Sequence, residues 1–317
     1  MKKIIVGGIL IICTAALVGG FAMMGGKSAS DGGRKAFTNK PTIAVIRIEG
    51  AITGGSGNSG IFGAAAGSDQ IIKQLHDVAS DQNIKAVLLR INSPGGSASA
   101  SQEIGLEVQK LRKAGTIVVT SMGDVCASGG YWIAAGTDKI VATPATMTGS
   151  IGVIMELGNM EELYQKIGYD TVVFKSGPYK DIGNANRPVT SEEERILQGM
   201  IDDIYDQFID VVAQGRQLKR EEVLKLATGE IFTGRQALRN KLVDEMGTYY
   251  DALDLTASMA GLGTDYEIKD MAESNPLAFL LGANATNYRD SARLIQLLDL
   301  YMRQSNSASS LNGVGQY

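Results

Sequence analysis

A serine directly followed by two glycines, Ser128-Gly129-Gly130, stands between a small, apolar run and the aromatic pair Tyr131-Trp132. At a sharp strand-to-helix turn such a hydroxyl is presented with the Gly129 N–H beside it. That is an arrangement suited to nucleophilic attack on a carbonyl. A second turn of the same kind, Asn92-Ser93-Pro94-Gly95-Gly96-Ser97, follows the preceding apolar run. Each turn places backbone N–H groups where a strand ends and a helix begins, facing any negative charge that develops there. Glycine lets the backbone approach a substrate carbonyl with no Cβ in the way. The bland counterpart is that Ser128 is only a helix N-cap.

A serine nucleophile needs a base, and the chain has a single histidine, His76. It shares a predicted helix with Lys73, Gln74 and Asp77 and reads as part of a solvated face. With imidazole set aside, lysine is the best remaining base, provided its amine is kept neutral, away from water and carboxylates. The segment Phe174-Lys175-Ser176-Gly177-Pro178-Tyr179-Lys180-Asp181 offers two, in aromatic, turn-rich surroundings. Asp181 opposes neutrality if its carboxylate points the same way. Residue types alone do not choose between Lys175 and Lys180.

Composition narrows the other chemistries. The two cysteines, Cys13 and Cys126, lie far apart, which excludes a disulfide framework and the usual thiolate zinc site; Cys126 reads as packing. No metal or cofactor is expected. A formal net charge of -4 gives no reason to expect nucleic acid as a partner. Gly26-Lys27-Ser28 lacks the upstream glycine of a phosphate-binding loop, since Phe21 stands there.

The elements that must position these residues follow a repeating pattern. Residues 42–48, 86–91 and 116–120 are short β-branched runs that read as buried strands. Between and after them, residues 71–79, 102–114 and 129–135 have helical spacing. Strands alternating with helices predict an α/β fold with a mostly parallel sheet covered on both faces, ligands gathering at the strands' carboxyl ends. Residues 54–67 read as a mobile surface loop. Thr190-Ser191-Glu192-Glu193 is a capping box, with Thr190 as N-cap, opening a long helix towards Gln214. Further helices are predicted over 220–227, 234–240 and 291–304.

The termini carry their own signals. After a short tail at residues 1–3, the uncharged stretch 4–26 is long enough to cross a ~30 Å hydrocarbon core, and reads as an uncleaved anchor. Lysines and arginines flank it on both sides, so charge does not set its orientation. Residues 27–39 read as a linker, 40–262 as the main domain, 263–304 as a C-terminal helical segment, and 305–317 as a flexible tail. The tail is rich in small residues and could thread into an active site as a self-substrate.

Taken in order, Asn92-Ser-Pro-Gly-Gly96, Ala127-Ser-Gly-Gly-Tyr-Trp132 and Thr148-Gly-Ser-Ile-Gly-Val153 begin a familiar series. Ser176-Gly-Pro-Tyr-Lys180, Gly229-Glu-Ile-Phe-Thr-Gly-Arg-Gln-Ala237 and Leu242-Val-Asp-Glu-Met-Gly247 complete it. Together the motifs resemble the short, single-repeat form of the bacterial signal peptide peptidase A family. The likeness implies a ClpP/crotonase-like fold of stacked βα units, with Ser128 as nucleophile and Lys180 as general base. It further implies oxyanion donors at the Gly95 and Gly129 N–H groups, and Ser150 orienting the lysine amine. Also implied are cleavage of hydrophobic signal-peptide remnants at the cell membrane and an extracytoplasmic catalytic domain. The last implication is a ring-like homo-oligomer whose dyad is shared between neighbouring subunits. Pro178 departs from the family's usual pattern and affects the loop more than the lysine.

Two other classes compete. A crotonase-type acyl-CoA enzyme shares the fold and the Gly234-Arg-Gln-Ala237 segment, but such enzymes use carboxylates, and neither glycine turn carries one. A non-catalytic membrane scaffold needs only the fold and the anchor, and is indifferent to loss of Ser128.

Overall fold

The computed structural model describes residues 40–57 and 65–272. The predicted anchor, the linker, the 291–304 helix and the 305–317 tail lie outside the described residues. In chain order the elements begin β1 (Thr42–Glu49), β2 (Ala51–Thr53), β3 (Ala65–Gly67), α1 (Ser68–Ser80), β4 (Ile84–Ser93) and α2 (Ala98–Lys113). They continue β5 (Ile117–Ala127), α3 (Gly129–Ala135), β6 (Lys139–Ala142), β7 (Met147–Gly149), α4 (Glu161–Ile167) and α5 (Ser191–Arg216). The remainder are α6 (Arg220–Leu226), β8 (Ile231–Thr233), α7 (Gly234–Arg239), β9 (Glu245–Met246), α8 (Tyr249–Met259) and β10 (Glu267–Asp270).

The main sheet runs β10-β1-β4-β5-β6-β9, parallel at every step. Ala86 to Leu89 are buried at four consecutive positions, as a central parallel strand with both faces covered requires. On one face Ile46, Leu89, Ile91 and Met122 pack with Leu75, Ile104, Trp132 and Phe208. On the other, Ile43, Val45, Leu88 and Val119 lie with Ala252, Leu253 and Ala257 of α8. This is the mixed α/β architecture with a parallel sheet that the alternating pattern predicts.

Several elements differ from the sequence expectation. β5 continues seven residues past Thr120, through Gly123 and Asp124, as one strand that exchanges β6 for β7 along one side. One side pairs with β4 as far as Cys126; the other passes from β6 to β7, with Val125 opposite Met147 and Ala127 opposite Gly149. The stretch 54–67 ends in a strand, with Ala65–Gly67 parallel to Ala51–Thr53. β10 joins the sheet edge beside β1, so the sheet extends past residue 262, the expected domain end. Its four residues are all exposed, so no apolar run marks it in the sequence. The Thr190 capping box forms as read: the Thr190 hydroxyl accepts from the Glu193 N–H, and Glu193 Oε2 accepts from the Thr190 N–H at 3.0 Å. Among the described residues no helix is long and apolar enough to cross a membrane.

Candidate active site

β4 and β5 reach their ends side by side, with Ser93 opposite Cys126. The turns that follow, Pro94-Gly95 and Ala127-Ser128, are therefore neighbours. How closely they approach decides the residue type. A Cβ on Gly95, whose φ is +105°, would stand 2.7 Å from Ser128 Cβ and 2.8 Å from the Gly129 nitrogen. Only glycine fits. The first turn is clamped by β2: the Ile52 N–H donates to the Gly95 carbonyl and the Ser97 N–H donates to the Ile52 carbonyl, both at 2.9 Å.

The Gly95 N–H is not left open as the turn pattern implies. It donates to Ser93 Oγ at 3.1 Å. Ser128 sits at φ +50°, ψ −120°, a region that non-glycine residues rarely occupy and that surrounding structure must enforce. The enforcement comes from both sides. The Ser128 N–H donates to the Gly149 carbonyl at 2.9 Å, and its own carbonyl accepts from the Trp132 N–H at 2.9 Å. Ser128 occupies the N-cap position of α3, yet its side chain makes no capping hydrogen bond, so the hydroxyl is not spent there. α3 is buried at every residue, with Trp132 stacked on Phe208 of α5 at 4.8 Å between ring centroids.

Ser150 follows Gly149, whose carbonyl accepts the Ser128 N–H. It too has positive φ, +48°. Its N–H donates to the Glu230 carbonyl at 2.8 Å, and the Gly229 N–H donates to the Ile151 carbonyl at 3.1 Å. A Cβ on Gly149 would stand 2.6 Å from the Phe232 ring. The Gly229–Thr233 segment thus clamps the turn that holds the Ser128 N–H. Sequence reading noticed the motif and missed this task, because β7 and β8 are three residues each and carry no periodicity. Cys126, two residues before Ser128, is fully buried, and burial pushes its thiol up. A protonated, enclosed thiol offers no competing nucleophile.

The lysines lie elsewhere. From residue 152 to 192 no residue is buried. This arm leaves β7, makes α4, returns through a turn at 176–183 and enters α5. Lys175 donates to Asp181 Oδ1 at 2.7 Å and to the Pro178 carbonyl at 3.0 Å. The amine of Lys175 is thus committed to contacts within its own turn. Lys180 is exposed and forms no ion pair among the described residues. The Asp181 carboxylate is gripped by Arg187, which also binds Glu193. The arm's hydrogen bonds are internal or reach the start of α5; none among the described residues joins Lys180 to Ser128. The structure therefore brings Ser128, Gly129, Gly95 and Ser150 together and leaves Lys180 outside that group. His76 lies exposed, 3.0 Å from Glu107. No cluster suited to a metal ion occurs among the described residues.

Residues 110–263 match the family described as Peptidase family S49, and residues 64–149 match Clp protease. A putative protease of Synechocystis sp. is 42% identical over 76% of this chain and 82% of its own length. The chain belongs to peptidase family S49. It is a serine protease. A putative signal peptide peptidase SppA of Enterococcus faecium is 39% identical over 67% of the chain. Protease 4 of Haemophilus influenzae is 37% identical over 73% of it. The chain spans 62% and 37% of the lengths of these two relatives. The parallel sheet accords with the Clp protease match.

Proposed function

We propose that this protein is a membrane-anchored serine endopeptidase that cleaves remnant signal peptides and other apolar peptides through a Ser128–Lys180 dyad. The observation that carries this reading is the Ser128 corner: a hydroxyl at positive φ, free of capping duty, packed against the Gly95 and Gly129 backbone. The Lys180 amine takes the Ser128 proton as Oγ bonds to the scissile carbonyl carbon. The N–H groups of Gly95 and Gly129 receive the oxyanion, with Gly95 exchanging Ser93 Oγ for the substrate oxygen. The lysine returns the proton to the leaving amine, and then deprotonates the water that releases the acyl group. Ser150 orients the amine. No cofactor takes part.

Because Lys180 lies on an exposed arm, the reading includes a ring-like homo-oligomer in which the arm of one subunit completes the site of its neighbour. Its support is apolar surface that a free monomer rarely exposes: Phe174 is 94% exposed, Ile154 79% and Val172 77%. Residues 4–26 serve as a single-pass anchor in the cell membrane, and the catalytic domain, placed at 40–262 and lengthened here by β10, stands on the extracytoplasmic side. Self-processing of the 305–317 tail is a further part of this reading.

The test uses the full 317-residue chain in detergent with an apolar signal-peptide substrate. Ser128→Ala and Lys180→Ala should each be inactive alone and regain activity when refolded together. Activity without Ser128 overturns the nucleophile; failure to complement overturns the shared dyad.

A further inference from the structure

The turn that carries Lys180 also carries a carboxylate, at the adjacent Asp181. A carboxylate within about 4–6 Å of an amine favours its charged form. A lysine that must be neutral to accept a proton therefore needs its neighbour occupied elsewhere. Arg187 supplies that occupation. Its Nη2 and Nε donate to Asp181 Oδ1 and Oδ2 at 2.9 and 3.2 Å. Its Nη2 and Nη1 also donate to Glu193 Oε1 and Oε2 at 2.6 and 2.8 Å. Glu193 is buried at the start of α5 and fixed by the Thr190 capping box, so the guanidinium is anchored to the helix. The Asp181 side chain is itself only 12% exposed.

We propose that Arg187 is a positioning residue for the general base: by holding the Asp181 carboxylate bidentately against α5, it leaves the Lys180 amine without a counter-ion in its own turn. The inference rests on the reading of Lys180 as base. The planar fork of arginine suits this task, since it meets one carboxylate along one edge and reaches a second with its remaining N–H groups. Lys175 assists from the other side of Asp181. The other charged or titratable groups at this turn are Tyr179 of the arm, and Glu192 and Arg195 of α5. The Tyr179 hydroxyl lies 3.5 Å from Glu192, which Arg195 binds. None of these is placed to substitute for Arg187 at Asp181. The arrangement also explains why two lysines five residues apart differ: Lys175 is spent on Asp181, and Lys180 is not.

The experiment is the pH dependence of kcat/KM for the full-length protein on a fluorogenic apolar peptide. In Arg187→Ala the Asp181 carboxylate keeps Lys175 on Oδ1 but loses the fork that turns Oδ2 towards α5; that oxygen is free to pair with Lys180, and the acid limb should move up by about one pH unit. In Arg187→Ala/Asp181→Asn no carboxylate remains in the turn, and the limb should return to its wild-type position. A role confined to bracing the arm gives the opposite pattern, with the double variant no better than the single. That result, or an unmoved limb in Arg187→Ala, overturns the proposal. Should Arg187→Ala fail to fold, Arg187→Lys carries the test. A lone ammonium cannot hold both carboxylates, so its limb should move the same way by a smaller amount, and an unmoved limb again overturns the idea. Lys180→Ala run alongside separates the two claims, since activity surviving in that variant refutes the base itself.

Discussion

The Ser128 corner and the Lys180 arm are built by opposite means. The corner is held by backbone hydrogen bonds and steric fit: Ile52 to Gly95, Ser128 to Gly149, Ser150 to Glu230, and glycines where a Cβ has no room. Beneath it lies the main core, with Trp132 and Phe208 in contact. The arm has no buried residue and is held by charge pairs radiating from Arg187. One region is a product of the chain's own folding. The other has a defined local shape and apolar surface that the described residues leave uncovered. On the proposed reading, Ser128 needs rigid support at all times, whereas a base supplied by a neighbour needs support only after assembly.

The sharpest way to break this contrast is Gly95→Ala. A methyl group there meets Ser128 Cβ and the Gly129 nitrogen below 3 Å, at a φ that alanine rarely adopts. Displacing one oxyanion donor should lower kcat by about 10²–10³-fold. Circular dichroism and thermal melting should still report a folded protein, because β4 and β5 remain paired up to Ser93 and Cys126. Wild-type kcat in this variant would mean the two turns do not cooperate as described.

On the arm, Phe174→Asp probes the reverse case. Phe174 is almost wholly exposed, so the substitution should leave the unfolding free energy of the isolated subunit within about 0.5 kcal/mol of wild type. Sedimentation should show smaller assemblies, and activity should fall with the loss of neighbours. A variant that assembles normally and keeps full activity would detach the arm's apolar face from the oligomer.

The same contrast governs what the sequence made legible. The Thr190 capping box, the parallel strands and the two glycine turns are readable because each depends on residues near one another in the chain. Ser93 Oγ engaging the Gly95 N–H was readable in principle, being two residues away, but the turn pattern suggested an open donor. β7, β8 and β10 were not readable: two are three residues long, and the third exposes every side chain, so neither burial nor period marks them. The choice between Lys175 and Lys180 turns on where the Asp181 carboxylate points, and Arg187 and Lys175 decide that. Identity of residues alone carries no such information. The motif resemblance named Lys180; in the structure it is Lys175 that the Asp181 carboxylate engages.

The smallest expected effect is an acid response confined to the arm. Arg187 foremost, and then the Thr190 N–H, hold the Glu193 carboxyl down at about 2. Arg187 and then Lys175 hold Asp181 well below the usual carboxylate range. A carboxyl whose folded value is depressed contributes stability that is complete above its ordinary range, about 4. That contribution fades as pH falls below this range and is gone once the folded value has been passed. The bonds holding the Ser128 corner are backbone to backbone and do not titrate in this window. Hydrogen exchange, corrected for its intrinsic pH dependence, should therefore separate the two regions between pH 5 and about pH 2. Protection of the Met160 amide, bonded to the Ala185 carbonyl, should fall first, while the Ile52 and Ser128 amides keep theirs. Arm and corner losing protection together would mean that the ion pairs around Arg187 do not hold the arm independently of the core.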